Sequence, residues 1–200
     1  MNWEQFAMKV QAISKIGKLF SEDPFAVENY EELETLSIEM LNKKVLSDPI
    51  VSNVYERSIY PTPNVSVRTM VFNESNQLLM VQEKDDGGWS LPGGWCDVYE
   101  SPTESAIKEV RQESGCIVQI DSLLGVFFRD KYKAQMKSLI SEYVIYFKAT
   151  LIGGELKANH EILDVNFFDL ENLPNLSFKN SKEEIERALL GLESPRIQFD

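Results

Sequence analysis

The stretch from Leu91 to Cys116 limits the fold more than any other part of the chain. Ser101-Pro102-Thr103-Glu104 carries a capping serine, a proline at the first helical position and a glutamate three residues after the cap, so a helix must begin there. Gly115, after Ser114, supplies its C-terminal stop. Ala106, Ile107 and Val110 form an apolar stripe expected to face a sheet, and Glu109, Gln112 and Glu113 are expected to share a second stripe. Just upstream, Gly93-Gly94 lets backbone and ligand approach closely, because neither residue has a Cβ. A chain with this segment needs a sheet for the helix to cover and a tight turn beside the helix.

The flanking sequence supplies the sheet. Val65 to Phe72 alternates as a strand, Asn73 to Asn76 turns it, and Gln77 to Glu83 returns. Apolar runs at 116–128, 142–152 and 162–168 read as further strands, and 180–190 as a closing helix. The first part of the chain differs. Trp3, Phe6, Val10, Ile13, Ile16 and Phe20 recur at helical spacing, and Asp23-Pro24 restarts a second helix reaching about Leu41. Ala26, Tyr30, Leu33, Leu36 and Met40 form that helix's apolar side. The organisation read from these patterns is a helical segment over residues 1–45, a proline-containing linker over 46–64 and an α+β domain over 65–200.

Charge narrows the partners. The 200 residues hold 32 Asp and Glu against 20 Lys and Arg, a net charge of −12, which repels a nucleic-acid backbone and argues against a DNA-binding role. A phosphate substrate remains compatible if a divalent cation mediates the contact. No run approaches the roughly 20 apolar residues of a membrane span. The opening residues have no basic-then-apolar leader pattern, and the cysteines Cys96 and Cys116 are too few for a disulfide framework, so a cytoplasmic location is expected. His160 is the sole histidine, which excludes a Ser-His-Asp triad and a histidine metal cluster.

The carboxylates carry the chemistry. Glu109 and Glu113 side by side on a helix repel one another unless the face is wet or a cation lies between them, and Glu100 adds a third carboxylate from the preceding loop. Mg²⁺ takes oxygen ligands and bridges to substrate phosphates, so carboxylates beside a Gly-Gly turn suit a metal–phosphate site. The alternative is a capped helix with a charged, solvated side. Arg68, on the strand entering the domain, is a candidate phosphate contact or a structural salt bridge.

Gly94, five residues, Glu100, seven residues, then Lys108-Glu109-Val110-Arg111-Gln112-Glu113-Ser114-Gly115-Cys116 resembles the Nudix box over 23 positions, and the preceding Leu-Pro-Gly-Gly-Trp matches as well. The resemblance implies a Nudix fold, a mixed β-sheet sandwiched between helices. It also implies Mg²⁺ or Mn²⁺ and attack by water on a diphosphate. By position it implies Glu109 and Glu113 as metal ligands, with the Gly94 region and Glu100 supporting and Gln112 as an uncharged donor, while Gly93, Gly94 and, outside the box, Arg68 remain the substrate candidates read from the residues themselves. Glu109 is the first choice of general base and Glu161 the second. The helical start resembles a bacterial subgroup that hydrolyses nucleoside diphosphates linked to a second group, with members associated with ADP-ribose or CDP-choline. A homodimer through those helices is expected. Two positions depart from the box. Lys108 stands for arginine, which removes a bidentate fork, and Gln112 stands for glutamate, which removes a charge. These departures leave open a second reading, a Nudix-fold nucleotide sensor or regulator without turnover.

Overall fold

The computed structural model describes residues 3–44, 52, 63–132, 142–193 and 196–200, so most of the expected linker over 46–64 lies outside the described residues. The chain divides into two compact units, Met1–Pro61 and Thr62–Asp200.

The first unit is a helical hairpin, α1 (Trp3–Phe20) and α2 (Pro24–Lys44). The Asp23 carboxylate accepts the Phe25 N–H at 3.0 Å, the expected cap ahead of Pro24. The seam between the helices is small and polar. Ala7, Gln11 and Ser14 are buried on α1, Ser37 and Leu41 on α2, and Lys18 pairs with Glu34 at 2.5 Å. The apolar stripe read from the sequence is real, but α2 does not cover it. Phe6, Ile13, Ile16 and Phe20 lie roughly 100–180° around α1 from that seam, at about 100° per residue. They stay exposed, Phe20 at 80%. Leu33 and Leu36 of α2, expected on its apolar side with Tyr30, are exposed too.

The second unit is the expected α+β architecture. Its strands are β1 (Asn64–Phe72), β2 (Leu78–Glu83), β3 (Trp89–Ser90), β4 (Cys116–Phe128), β5 (Glu142–Gly154), β6 (Ile162–Phe168) and β7 (Gln198–Phe199), with helices α3 (Pro102–Ser114) and α4 (Lys182–Glu193). The sheet is mixed. β1 runs parallel to β5 and β4 parallel to β7, while β4–β5, β1–β2, β2–β3 and β2–β6 are antiparallel. The Asn73 side chain forms the β1–β2 turn by accepting the Ser75 and Gln77 N–H groups. The two-residue strands β3 and β7 are too short to show alternation, and the sequence does not announce them.

Period-two alternation gives the sheet two apolar faces. On one, Met70, Met80, Leu124, Val144 and Tyr146 pack with Ile185 and Ala188 of α4. On the other, Val71, Leu79, Val81, Val118 and Ala149 pack with Val110 of α3, and Val67 and Phe147 with Ala106. Ile107 was expected in that α3 stripe but is 37% exposed, because one residue's rotation carries it off the sheet-facing side. One irregularity places the site. β1 pairs with β2 at Phe72↔Leu78, and further along β2 pairs instead with β3, at Val81↔Ser90. The chain leaving β3 returns to the side of β1. Thr69 N–H donates to Pro92 O at 3.0 Å, Val67 N–H to Gly94 O at 2.9 Å, and Cys96 N–H to Val65 O at 3.0 Å. The Pro-Gly-Gly turn is therefore an extended ribbon seated in the sheet, and α3 follows it.

Candidate active site

α3 forms where the sequence requires it. Ser101 caps Glu104 N–H and the Glu104 carboxylate accepts Ser101 N–H at 2.8 Å, a reciprocal capping box. Gly115 ends the helix at φ 74. This fixes which α3 side chains face the ribbon. Relative to Glu109, Glu113 is rotated by about 40° one way and Gln112 by about 60° the other. Glu113 is 5% exposed, and its Oε2 accepts the Gly93 N–H at 2.8 Å. Glu109 is half-buried, and a Cβ added at Gly94 would stand 3.0 Å from its carboxylate. A Cβ at Gly93 would fall 2.1 Å from the Val67 carbonyl oxygen. The two glycines are thus required by close approach, one to the sheet and one to a carboxylate.

Gln112 is placed differently. It is exposed and lies with Glu104, Ile107, Lys108 and Arg111 along the outer side of α3, so the structure does not bring it to the Gly93–Glu113 pair. The expected stripe of three holds for Glu109 and Glu113 only, since the Gln112 rotation falls outside the buried arc.

Charge around the pair is unevenly compensated. Burial pushes the Glu113 carboxyl up to about 8, against the pull of Arg68 and the Gly93 N–H, with Glu109 and Glu83 adding repulsion. Burial also raises Glu109, opposed by Lys108 and Arg68 and reinforced by Asp97 and Glu161. Among the described residues Glu109 has no hydrogen-bonding or ion-pair partner. Lys108 does what a forked arginine would do by other means. It bridges Asp97 at 2.5 Å and Glu100 at 2.7 Å, tying the loop before α3 to the helix. Partial burial disfavours its charge, but the two carboxylates outweigh that and raise its pKa. Glu100 is therefore engaged by Lys108.

Arg68 is 4% exposed and donates to the Gly93 carbonyl from beneath the ribbon. Burial, and then Arg129, lower its pKa, and Glu113 counteracts them. Its partner is the Gly93 carbonyl of the turn, and among the described residues it makes no salt bridge, the alternative that the sequence offered to a phosphate contact. Glu161 and His160 sit on the exposed loop before β6, where Lys84 N–H donates to Glu161 O at 3.0 Å. Glu161 is close enough for its charge to raise Glu109. Sequence reasoning missed Glu83, which is 1% exposed at the end of β2 and accepts from Ser90 at 2.6 Å and Lys179 at 2.6 Å. It also missed Asn180, buried ahead of α4. A charged residue closing a strand that begins with four apolar residues was the available signal for Glu83.

The donors at this site are oxygens, the set that suits Mg²⁺ or Mn²⁺ rather than a soft metal. Among the described residues no group of three or more His, Cys, Asp or Glu side chains is placed to hold a metal ion. Two carboxylates are enough for Mg²⁺, which is commonly held by one or two, with waters and substrate phosphates completing its shell. The under-compensated Glu113 and Glu109 fit such a cation.

Two family descriptions match the chain. NUDIX domain covers residues 62–189, and the UDP-X-like, N-terminal oligomerisation domain covers residues 1–49. The chain belongs to the Nudix family and is a Nudix pyrophosphohydrolase. Its relatives narrow the group. YjhB of Bacillus subtilis (strain 168), by its description a candidate ADP-ribose pyrophosphatase, is 35% identical over 90% of this chain and 86% of its own length. A crystal structure of a UDP-X diphosphatase superposes with a TM-score of 0.65 at 31% identity, covering 97% of this chain and 95% of that one. An ADP-ribose pyrophosphatase structure from Streptococcus suis 89-1591 gives a TM-score of 0.60 at 34% identity over 70% of this chain and all of that one. Among the described residues no helix is long and apolar enough to cross a membrane.

Proposed function

We propose that the chain hydrolyses the diphosphate linkage of a nucleoside diphosphate joined to a second group, using Mg²⁺ or Mn²⁺. ADP-ribose is the leading substrate, and UDP- or CDP-linked compounds such as CDP-choline are next. The observation that carries this reading is the buried Glu113 bound to Gly93 N–H, with Glu109 pressed against Gly94. When bound, the metal would neutralise phosphate charge and lower the pKa of water. Glu113 and Glu109 would hold it, beside the Gly93–Gly94 turn. Glu109, half-buried beside the Gly94 turn, is the first candidate to take a proton from the attacking water, and Glu161, within electrostatic reach of it, is the second. Glu100 supports through Lys108, and Arg68 shapes the turn.

The first unit supports a homodimer. Its large apolar side chains are exposed in the single chain, and the family description that matches residues 1–49 is that of an oligomerisation domain. A panel of ADP-ribose, CDP-choline and UDP-sugars, with Mg²⁺ or Mn²⁺ and with chelator, tests the function. Metal-dependent release of a nucleoside monophosphate from one of them is expected. Binding of every compound without turnover would replace the hydrolase by a nucleotide sensor.

A further inference from the structure

The ribbon that carries Gly93 and Gly94 is held along one edge by β1. Its other edge is held by three acceptors drawn from far apart in the chain. Trp89 N–H donates to Asn175 O at 2.8 Å, and Ser177 N–H returns to Trp89 O at 2.9 Å, so residues 175–177 run beside β3 as a short parallel partner. The main chain then turns into α4. Leu91 N–H, next along the same edge, is met instead by the side chain of Asn180, whose Oδ1 accepts it at 2.9 Å. Gly93 N–H follows, accepted by Glu113. Asn180 thus stands in for a backbone carbonyl, one step before the residue that orients Glu113.

Asn180 is itself fixed. It is 3% exposed, its N–H donates to Ser177 O at 3.1 Å, and its Nδ2 donates to the fully buried Tyr146 hydroxyl at 3.0 Å. It lies 65 positions beyond Gly115, outside the segment that resembles the box. A hydrocarbon at this position would leave the Leu91 N–H buried without a partner, at the cost of an unmade hydrogen bond. The ribbon would relieve that by shifting, and Gly93 is two residues away.

We propose that Asn180 is a positioning residue for the metal site, acting through Leu91 and Gly93 on Glu113. The proposal rests on the reading of Glu113 as a metal ligand. The substituents separate the two hydrogen bonds of Asn180. Asn180→Ala removes both. Asn180→Asp keeps the acceptor for Leu91 N–H and can accept from the Tyr146 hydroxyl. Tyr146→Phe leaves the Leu91 bond and removes only the hydroxyl.

The test is calorimetric titration of the full-length, metal-free proteins with Mn²⁺ alone, alongside melting temperatures and separate kcat and KM values. Asn180→Ala should weaken Mn²⁺ binding by about tenfold or more, as loss of an outer partner of a metal ligand does. It should lower kcat more than KM. Asn180→Asp and Tyr146→Phe should bind Mn²⁺ as the parent does, although Tyr146→Phe lowers the melting temperature. Parent-like Mn²⁺ affinity in a folded Asn180→Ala protein would overturn the positioning role alone. So would a Tyr146→Phe protein weakened equally, since that would make the effect one of general stability. A parent protein that binds no Mn²⁺ overturns the functional reading, and the positioning role with it.

Discussion

The two units bury opposite kinds of residue. In the helical hairpin the seam holds Ala7, Gln11, Ser14 and Ser37, while Trp3, Phe6, Ile13, Ile16 and Phe20 are outside. In the second unit both sheet faces are apolar, and the buried charges, Glu113, Arg68, Glu83, Arg129, Glu142 and Glu184, gather around the ribbon and the start of α4. The second arrangement closes its own core and can spend polar groups on a site. The first exposes the surface that would stabilise it, which is how an element completed by association is built. Arg129 shows how far the polar layer extends, pairing with Glu142 at 2.6 Å while Glu142 accepts the Ser66 hydroxyl at 2.5 Å. Buried polar groups joined this tightly are costly to disturb one at a time.

If the contrast is right, changes in the second unit should destroy turnover and leave association intact. Glu113→Gln should lower kcat by at least about tenfold, since a direct ligand matters no less than its outer partners. Chelator should abolish turnover, and elution volume should be unchanged in both cases. A Glu113→Gln protein with parental kcat would remove Glu113 from the site.

The reverse separation is expected of the hairpin. Ile13→Asp and Ile16→Asp should each raise the dimer dissociation constant by about tenfold or more, given about 1.5–3 kcal/mol for a fully buried isoleucine. Light scattering across a concentration series measures this. Parental mass in both variants would show that the exposed stripe is not the dimer contact.

A separate effect should appear in the metal-free protein. The folded chain holds the Glu113 carboxyl at about 8, against an ordinary 4.5. Below 4.5 the group is protonated whether the chain is folded or not. Between those values the unfolded chain releases a proton that the folded chain keeps, so stability falls as pH climbs toward 8. Glutamine has no such proton. In chelator, Glu113→Gln should therefore melt higher than the parent at pH 8, and the advantage should shrink steadily toward pH 5. Calorimetry over that range decides it, and a pH-independent difference would refute the buried-charge account.

The smallest effect is expected at Gln112. Read from the sequence as a neighbour of the metal, it invites Gln112→Glu as a way to lower the Mg²⁺ requirement. Its exposure on the outer side of α3 predicts an unchanged requirement instead. A clear drop, measured by titrating activity with Mg²⁺, would return it to the site.

Local signals determined much of this protein without help. The serine cap, Pro102 and Gly115 set both ends of α3, because a cap is a bond between near neighbours in sequence. Alternation set β1, apolar runs set the longer strands, and the i to i+4 relation put Glu109 and Glu113 together. The tertiary structure decided which face of each helix is covered, because periodicity reports that a stripe exists and not what lies against it. That is why the stripe of α1 was legible and its exposure was not. It also explains Ile107 and Gln112, each about 60–100° from a buried neighbour, a margin that only packing resolves. The partners of the ribbon were least visible of all. Lys179 and Asn180 meet Glu83 and Leu91 across 96 and 89 positions, and no local pattern records a hydrogen bond made by chain reversal through several strands.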